Sequence, residues 1–255
     1  MLNSSGPKTS AMKHTTLPIT LALTLFCAVL KAQIATAPIQ DANTATAYNF
    51  LKIQKWFSMA KNDVELFEAD TSRARFGINQ NGIDLNSTLA AFIFHYGGMK
   101  VDHGWLRVLG SGCKEFERGL AEWNRGKNEM KKDSSRYLLV ADDVIGGFWA
   151  LNLTPDTKLD AAIVHYRGPH DLRWTPTGMR YSDFLRFCFF GQISEYYRDF
   201  RWKTWESEIP AINEWQVISC YPLLWTREGK EIKANRKVVP IERLWELYQS
   251  SAAMK

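Results

Sequence analysis

The sequence predicts an α+β fold in which one central, mostly antiparallel or mixed sheet is flanked by N- and C-terminal helices. Both ends of the chain carry apolar residues at helical spacing, whereas the middle carries short apolar runs separated by glycine turns. Successive strands joined by tight turns favour antiparallel pairing, and helices placed before and after them favour the α+β class. No repeat or linker divides the chain after residue 44, so we predict one globular domain over residues 44–255.

The N-terminal segment has the pattern of a secretory signal peptide. A short basic stretch begins at Met12, residues 17–30 are almost wholly apolar, and Ala32 follows. The apolar run is shorter than the ~20 residues that span a bilayer, so a cleaved signal peptide is favoured over a retained anchor. We predict cleavage before Gln33, with Met12 as an alternative start of the chain.

Residues 1–32 are therefore assigned to the signal peptide and residues 33–43, rich in alanine and glutamine, to a flexible leader. This assignment predicts an exported protein, periplasmic or extracellular, with no membrane span after cleavage. Residues 1–32 contain three lysines and no acid, so 29 basic residues face 27 acidic ones in the remainder. Because no clustered basic face is visible, we predict no nucleic-acid partner.

Helical and strand patterns alternate in the N-terminal third. A helix is predicted to start near Thr44, because four apolar residues recur there at helical spacing. These residues are Phe50, Ile53, Phe57 and Ala60. Residues 64–67 are predicted as a short strand. Residues 77–86 are predicted as a loop after a short helix, because Gly77 and Asn81-Gly82 interrupt them.

The centre of the chain is predicted to be rich in strands. Residues 89–95 form a continuous apolar run of strand length, Gly97-Gly98 is predicted to turn the chain, and residues 99–109 to return as a second strand. Asp142-Asp143 and Gly146-Gly147 separate the next two strands. The remaining predicted strands are residues 137–141, 148–151, 161–166 and 172–174.

Helices return in the last third. Ser182 is predicted to cap a helix over residues 183–190, and residues 193–200 continue as helix. Residues 215–224 are predicted as a strand. Pro240 suits the first position of a final helix, which presents one apolar stripe. The stripe consists of Ile241, Leu244, Trp245 and Tyr248.

Three cysteines follow the predicted signal peptide: Cys113, Cys188 and Cys220. An odd number leaves at least one thiol unpaired, and one disulfide is allowed in an oxidising compartment. Cys188 lies in an apolar helical run, which favours a buried free thiol.

The candidate catalytic residues are His103, Asp142 and Asp143. Adjacent carboxylates at a strand end can bind a cation or work as acid and base, but neighbours on an extended chain point to opposite faces. Aspartate is also a common turn residue, which gives the pair a structural interpretation. Because the histidines have no metal-ligand spacing and no phosphate-binding fingerprint is present, we predict no metal site and no cofactor.

The candidate binding residues are Arg201, Trp202 and Trp205. These two tryptophans alternate with charged residues, whereas Trp56, Trp149, Trp225 and Trp245 lie in apolar patterns and are predicted to be core. Exposed tryptophan beside arginine is typical of binding hot spots and would also suit a sugar-stacking platform. A surface helix that packs its tryptophans inward is the structural alternative.

Four phrases of the sequence support a resemblance to known proteins. They are VDHGWLRVLGSG at residues 101–112, LLVADDVIGGFWALN at 138–152, YSDFL at 181–185 and YPLLWTREG at 221–229. Together they resemble a bacterial family of domains of unknown function, over roughly residues 50–248. That resemblance implies no catalytic residue that can be transferred to this chain.

The phrase LLVADDVIGGFWALN, followed by a helix of the SDFL kind, is more distantly similar to the SUKH superfamily. That similarity implies an α+β, SUKH-like fold and a role like that of its many immunity proteins, which bind and block toxins. A signal peptide departs from the usual cytoplasmic setting of such proteins.

Three functions are compatible with these patterns. The first is a non-enzymatic binding protein with a protein partner, which the lack of a catalytic constellation favours. The second is an envelope hydrolase that uses Asp142 or Asp143 with His103. The third is a glycan-binding protein that uses Trp202 and Trp205.

Overall fold

The computed structural model describes residues 39–127, 136–169, 173–221 and 235–253. The chain divides into two compact units, Met1–Ala42 and Asn43–Lys255, and only the start of helix α1 is described in the first. The described helices are α1 (Ile39–Ser58), α2 (Thr71–Asn81), α3 (Thr88–His95), α4 (Leu120–Asn124), α5 (Tyr181–Phe190), α6 (Ile193–Tyr196), α7 (Trp205–Glu208) and α8 (Ile241–Ala253). The described strands are β1 (Val64–Glu68), β2 (Tyr96–Val101), β3 (Leu106–Leu109), β4 (Arg136–Asp143), β5 (Phe148–Leu153), β6 (Ile163–Arg167), β7 (Thr175–Arg180), β8 (Gln216–Tyr221) and β9 (Asn235–Pro240).

Strands β1 to β7 form one antiparallel sheet whose spatial order follows the order along the chain. Strands β8 and β9 form a separate two-stranded antiparallel sheet. The backbone N–H of Ile218 on β8 donates to the carbonyl of Val144, just after β4, at 2.7 Å. The predicted α+β class, with an antiparallel sheet and helices at both ends, is confirmed.

Residues 89–95 are helical, so the prediction of a strand there was wrong. The Oγ of Ser87 accepts the backbone N–H of Ala90 at 3.0 Å and caps the N-terminus of α3. Every residue from 88 to 94 is buried. An element that is apolar on all sides has no periodicity to separate helix from strand, so the serine cap was the informative signal.

The prediction of a glycine turn followed by one long strand was also wrong. Gly97 and Gly98 lie inside β2, and a Cβ on Gly98 would come within 2.5 Å of the Phe116 ring, so this glycine permits close packing rather than a turn. The chain turns later, between β2 and β3, where Asp102, His103 and Gly104 all have positive φ.

The helices differ from prediction mainly at their ends. Residues 77–81 belong to α2, which ends at Gly82 in the left-handed conformation, so the predicted loop starts later. Helix α5 begins at Tyr181, before the predicted Ser182 cap, and Pro240 ends β9 rather than starting α8. Helix α1 begins before Thr44, and Phe57 is exposed while Thr46, Asn49 and Ile53 form its buried side.

The predicted stripe of α8 is buried, and so are Trp149 and Trp245. Trp56 is only half-buried, and Trp225 lies outside the described residues. Residue 172 and residues 222–224, which belong to two predicted strands, are also outside them. Cys113, Cys188 and Cys220 are buried free thiols, which confirms the prediction for Cys188.

Within the described ranges, no helix is both long enough and apolar enough to cross a membrane.

Candidate functional site

Asp142 and Asp143 end strand β4, where both side chains are fully buried. They were predicted to follow the strand, so the strand runs further than expected. Their side chains make different contacts, as the alternation of an extended chain requires. The two carboxylates therefore have different hydrogen-bond partners and do not form one two-carboxylate site.

Asp142 lies between two buried guanidinium groups. One carboxylate oxygen accepts from Nη2 of Arg107 and, at 2.8 Å, from its Nε; the other accepts from Nη2 of Arg118. The Nη1 of Arg107 also donates to the carbonyls of Asn213 and Gln216 at 2.9 and 2.7 Å. This carboxylate is therefore the counter-ion of Arg107, and the other bonds of Arg107 tie the main sheet to the start of β8.

Arg118 depends on the same carboxylate. Its Nε donates to the carbonyl of Glu214 at 2.6 Å, and its guanidinium carbon lies 4.7 Å from the centre of the Trp123 ring. Its Nη1 has no hydrogen-bond partner among the described residues. Burial lowers the pKa of Arg118, whereas the Asp142 charge raises it.

Asp143 closes the turn between β4 and β5. Its carboxylate accepts the backbone N–H of Gly147 and the hydroxyl of Tyr166, both at 2.7 Å. Burial raises the pKa of Asp143 from its usual 3.8 to about 6, although both hydrogen bonds act in the opposite direction. No cationic side chain bonds this carboxylate among the described residues.

His103 lies apart from both aspartates, on the turn between β2 and β3. Its Nδ1 is 3.2 Å from Oδ2 of Asp63, and the same oxygen accepts its backbone N–H at 3.1 Å. The His103 side chain is 48% exposed, whereas Asp142 and Asp143 are fully buried. The structure therefore does not assemble the three predicted catalytic residues into one site.

The turn that carries His103 is strained. Asp102 and His103 have φ of 55° and 57°, a region that residues other than glycine seldom adopt. Asp63 holds the turn from one side, since its backbone carbonyl accepts the N–H of Asp102 at 2.7 Å. Arg201 holds it from the other side through an ion pair with the Asp102 carboxylate.

Arg201 links this turn to the two predicted binding tryptophans. Its guanidinium carbon lies 4.1 Å from the ring centre of Trp205 and 4.9 Å from that of the buried Trp105. Trp105 in turn contacts Trp202 and Trp205, with ring centres 5.8 and 5.3 Å away. Arginine over an indole face is a favourable cation–π arrangement, so these side chains support one another.

His103, Arg201, Trp202 and Trp205 together form what we call the turn surface. The ring centre of His103 is 6.0 Å from that of Trp205, and the guanidinium of Arg236 lies 4.5 Å from the Trp202 ring. Both tryptophans are half-buried. Trp205 starts the short helix α7, but Trp202 precedes it in a turn, so the two are not on one continuous helix.

A pocket of about 280 Å³ opens beside the turn surface. Its polar lining comes from Asp63, Glu65, Lys100 and His103, and its apolar wall from Ile209, Pro210 and Ile212. Lys100 forms an ion pair of 2.8 Å with the buried Glu214. Among the described residues, no group of three or more histidine, cysteine or acidic side chains could hold a metal ion.

A larger cleft of about 660 Å³ contains none of the predicted site residues. Its polar groups mostly cap local structure: Asp84 accepts from the backbone of Asn86, Ser87 caps α3, and Asp160 accepts the N–H of Thr88. We therefore take the turn surface as the candidate site.

Comparison with known proteins places the chain in a family. The model of the family described as "Protein of unknown function DUF2625" matches residues 42–244. The chain belongs to the DUF2625 family. This membership confirms the predicted resemblance to a bacterial family of domains of unknown function.

Two bacterial relatives of this DUF2625 chain are similar over most of their length. An "Uncharacterized protein" of Haemophilus influenzae is 30% identical over 195 residues, which cover 76% of this chain and 82% of that protein. "Putative uncharacterized protein YbfG" of Escherichia coli K12 is 30% identical over 195 residues, which cover 76% of this chain and 88% of that protein.

Sequence reasoning missed one residue that shapes the candidate site of this DUF2625 protein and two that bond the predicted catalytic residue Asp142. Asp63 precedes β1 and reaches the turn only through the pairing of β1 with β2, which no local pattern reveals. Arg107 and Arg118 are isolated arginines in the sequence. The phrase Asp102-His103-Gly104 was the detectable signal, because aspartate and glycine are common turn residues and here lie between two apolar segments.

Proposed function

We propose that this DUF2625 protein is an exported, non-enzymatic binding module that contacts a protein partner through the turn surface. The observation that carries the proposal is the packing of Arg201 between Trp105 and Trp205 beside a strained turn. Two half-exposed tryptophans are thereby held in fixed positions next to an arginine. Tryptophan and arginine are enriched in the hot spots of protein interfaces.

Pre-organisation strengthens this interpretation. Binding normally costs about 0.5–1.5 kcal/mol for each flexible side chain that becomes ordered. Arg201 is already fixed by Asp102, and Arg236 over Trp202 is fixed by an ion pair of 3.2 Å with Glu208. A partner would therefore meet side chains whose conformational entropy has largely been lost on folding.

The packing favours a protein partner over the two other functions. His103 faces Asp63 rather than Asp142 or Asp143, and general acid–base catalysis needs its groups within hydrogen-bond reach of one substrate. Sugar stacking needs an open indole face, whereas both Trp202 and Trp205 pack against a guanidinium group and also against the buried Trp105 ring. The resemblance to the SUKH superfamily suggests one form of this proposal, in which the protein has an immunity-like role and its partner is a toxin.

The test compares Trp202→Ala and Trp205→Ala with Trp56→Ala. Trp56 is a matched control, because it is also half-buried and has a lysine, Lys52, over its ring at 5.1 Å. We expect each turn-surface variant to keep its melting temperature within a few degrees and to lose about thirtyfold or more in affinity for a partner identified from the envelope fraction.

The Trp56→Ala variant should retain that affinity. A collapse of the melting temperature in both turn-surface variants would instead mean that these tryptophans belong to the core, where truncation costs about 3–5 kcal/mol. Retained affinity in folded variants would also refute the binding surface. If oligosaccharides, but not proteins, compete with the identified partner for binding, the glycan-binding function would be favoured.

Export is part of the proposal and rests on the Lys13, 17–30 and Ala32 pattern. The native protein should begin at Gln33 and occur outside the cytoplasm. N-terminal sequencing that finds Met12 intact on the native protein would contradict export.

A further inference from the structure

We infer that the pocket beside His103 receives a lysine or arginine side chain of the protein partner. We call it the acidic pocket and define it by Asp63, Glu65, Lys100, Ile209 and Ile212. The inference rests on the proposed function, because the pocket adjoins the turn surface through His103. It deepens that function by stating which chemical group the partner contributes.

The charges of the pocket favour a cation. Asp63 and Glu65 are both exposed at its opening. Lys100, the lysine of the described lining, is held by the buried carboxylate of Glu214 at 2.8 Å, so its charge is offset. A positive group in the pocket would face two carboxylates, whereas an acidic side chain would be repelled.

The shape of the pocket favours a long side chain with an apolar stem. Ile209, Pro210 and Ile212 form one wall, against which the methylene groups of lysine or arginine can pack while the charged head faces the carboxylates. A volume of about 280 Å³ lies just below the range of sites for small-molecule ligands. The pocket therefore suits one inserted side chain of a larger partner.

The position of the pocket relates it to the same partner. Asp63 accepts the backbone N–H of His103 and also faces its ring, and His103 lies against Trp205. A basic side chain in the acidic pocket would thus extend the contact of a partner that already covers the tryptophans. Aromatic anchors next to a charged pocket would set both affinity and orientation.

The test adds small probes to the protein as it is produced by the cell. Residues 1–32 are absent only if export has removed them. Nα-acetyl-arginine amide and Nα-acetyl-lysine amide are titrated while the methyl signals of Ile209 and Ile212 are followed by NMR. Nα-acetyl-norleucine amide is the uncharged control and Nα-acetyl-glutamate amide the acidic one. We expect both basic probes to shift the isoleucine signals and to bind more tightly than either control.

Glu65→Gln should weaken the basic probes by up to about fivefold, the range of an exposed ion pair. Glu68→Gln is the matched control, because it removes an exposed acid from the same strand outside the pocket, and it should leave binding unchanged. Asp63→Asn is a second variant, with melting temperature measured alongside, because Asp63 also holds the turn. Equal binding of norleucine amide, or no effect of Glu65→Gln, would overturn the inference.

The result is separable from the test of the proposed function. If the basic probes do not bind but Trp202→Ala and Trp205→Ala still lose the partner, the acidic pocket is refuted and the binding function stands. If the probes bind but the tryptophan variants keep the partner, the proposed function fails, and the assignment of the pocket to that partner fails with it.

Discussion

Replacing Asp142 by asparagine should lower the free energy of unfolding by about 3–5 kcal/mol, the usual cost of breaking a buried ion pair from one side. Asp142 is the carboxylate that bonds both Arg107 and Arg118, and all three side chains are almost completely buried. An asparagine amide has no charge and only one acceptor oxygen. Two guanidinium groups would therefore remain buried without a counter-ion.

Asp143→Asn is the matched control, because it removes a neighbouring, equally buried carboxylate that no arginine bonds in the part of the chain that the structure describes. The asparagine oxygen can still accept the N–H of Gly147, and its amide can donate to the oxygen of Tyr166. We expect this variant to change stability by no more than about 1 kcal/mol at pH 7. Urea unfolding measures both, and equal losses in the two variants would contradict the distinction between them.

The protein should also lose stability as pH rises from about 4 to about 6 because of Asp143. Burial raises the folded-state pKa of this carboxyl from 3.8 to about 6, so the folded state holds a proton that the unfolded state has released. Stability falls with rising pH wherever the folded state binds more protons. The contribution is fully present below pH 3.8 and is lost above about pH 6.

The expected size is at most about 3 kcal/mol, since each pKa unit corresponds to about 1.36 kcal/mol. Other groups titrate over the same range, so the informative quantity is the difference between the native protein and Asp143→Asn at pH 4.5 and at pH 7.5. The native protein should gain stability relative to the variant at the lower pH. A difference independent of pH would show that Asp143 is charged in the folded state throughout.

The fold class was predictable because the elements that define it carry clear patterns. The α8 stripe has helical spacing, and β4 and β5 are apolar runs divided by glycines. Helix α3 was not predictable from periodicity, because it is buried on all sides. The sheet of β8 and β9 was missed in part, because β9 is mostly exposed and has no apolar alternation.

The candidate site was only half predictable for a different reason. Alternation of tryptophan with charge drew attention to Trp202 and Trp205, and His103 was singled out as a histidine beside aspartate and glycine. Their convergence depends on tertiary packing, since Arg201 reaches Asp102 across 99 positions of sequence. No local pattern could show that Asp142 neutralises two arginines while Asp143 bonds none of the arginines that the structure describes.

The central claim, that a protein partner contacts the turn surface, is tested most directly by photo-crosslinking in the native host. The photoreactive residue p-benzoylphenylalanine replaces Lys203, which is exposed between Trp202 and Trp205, or Lys55, which is exposed on α1 as the control. We predict a discrete crosslinked protein with Lys203→p-benzoylphenylalanine and none with the Lys55 variant. A stable, exported Lys203 variant that yields no crosslink, or the same products from both positions, would contradict the claim.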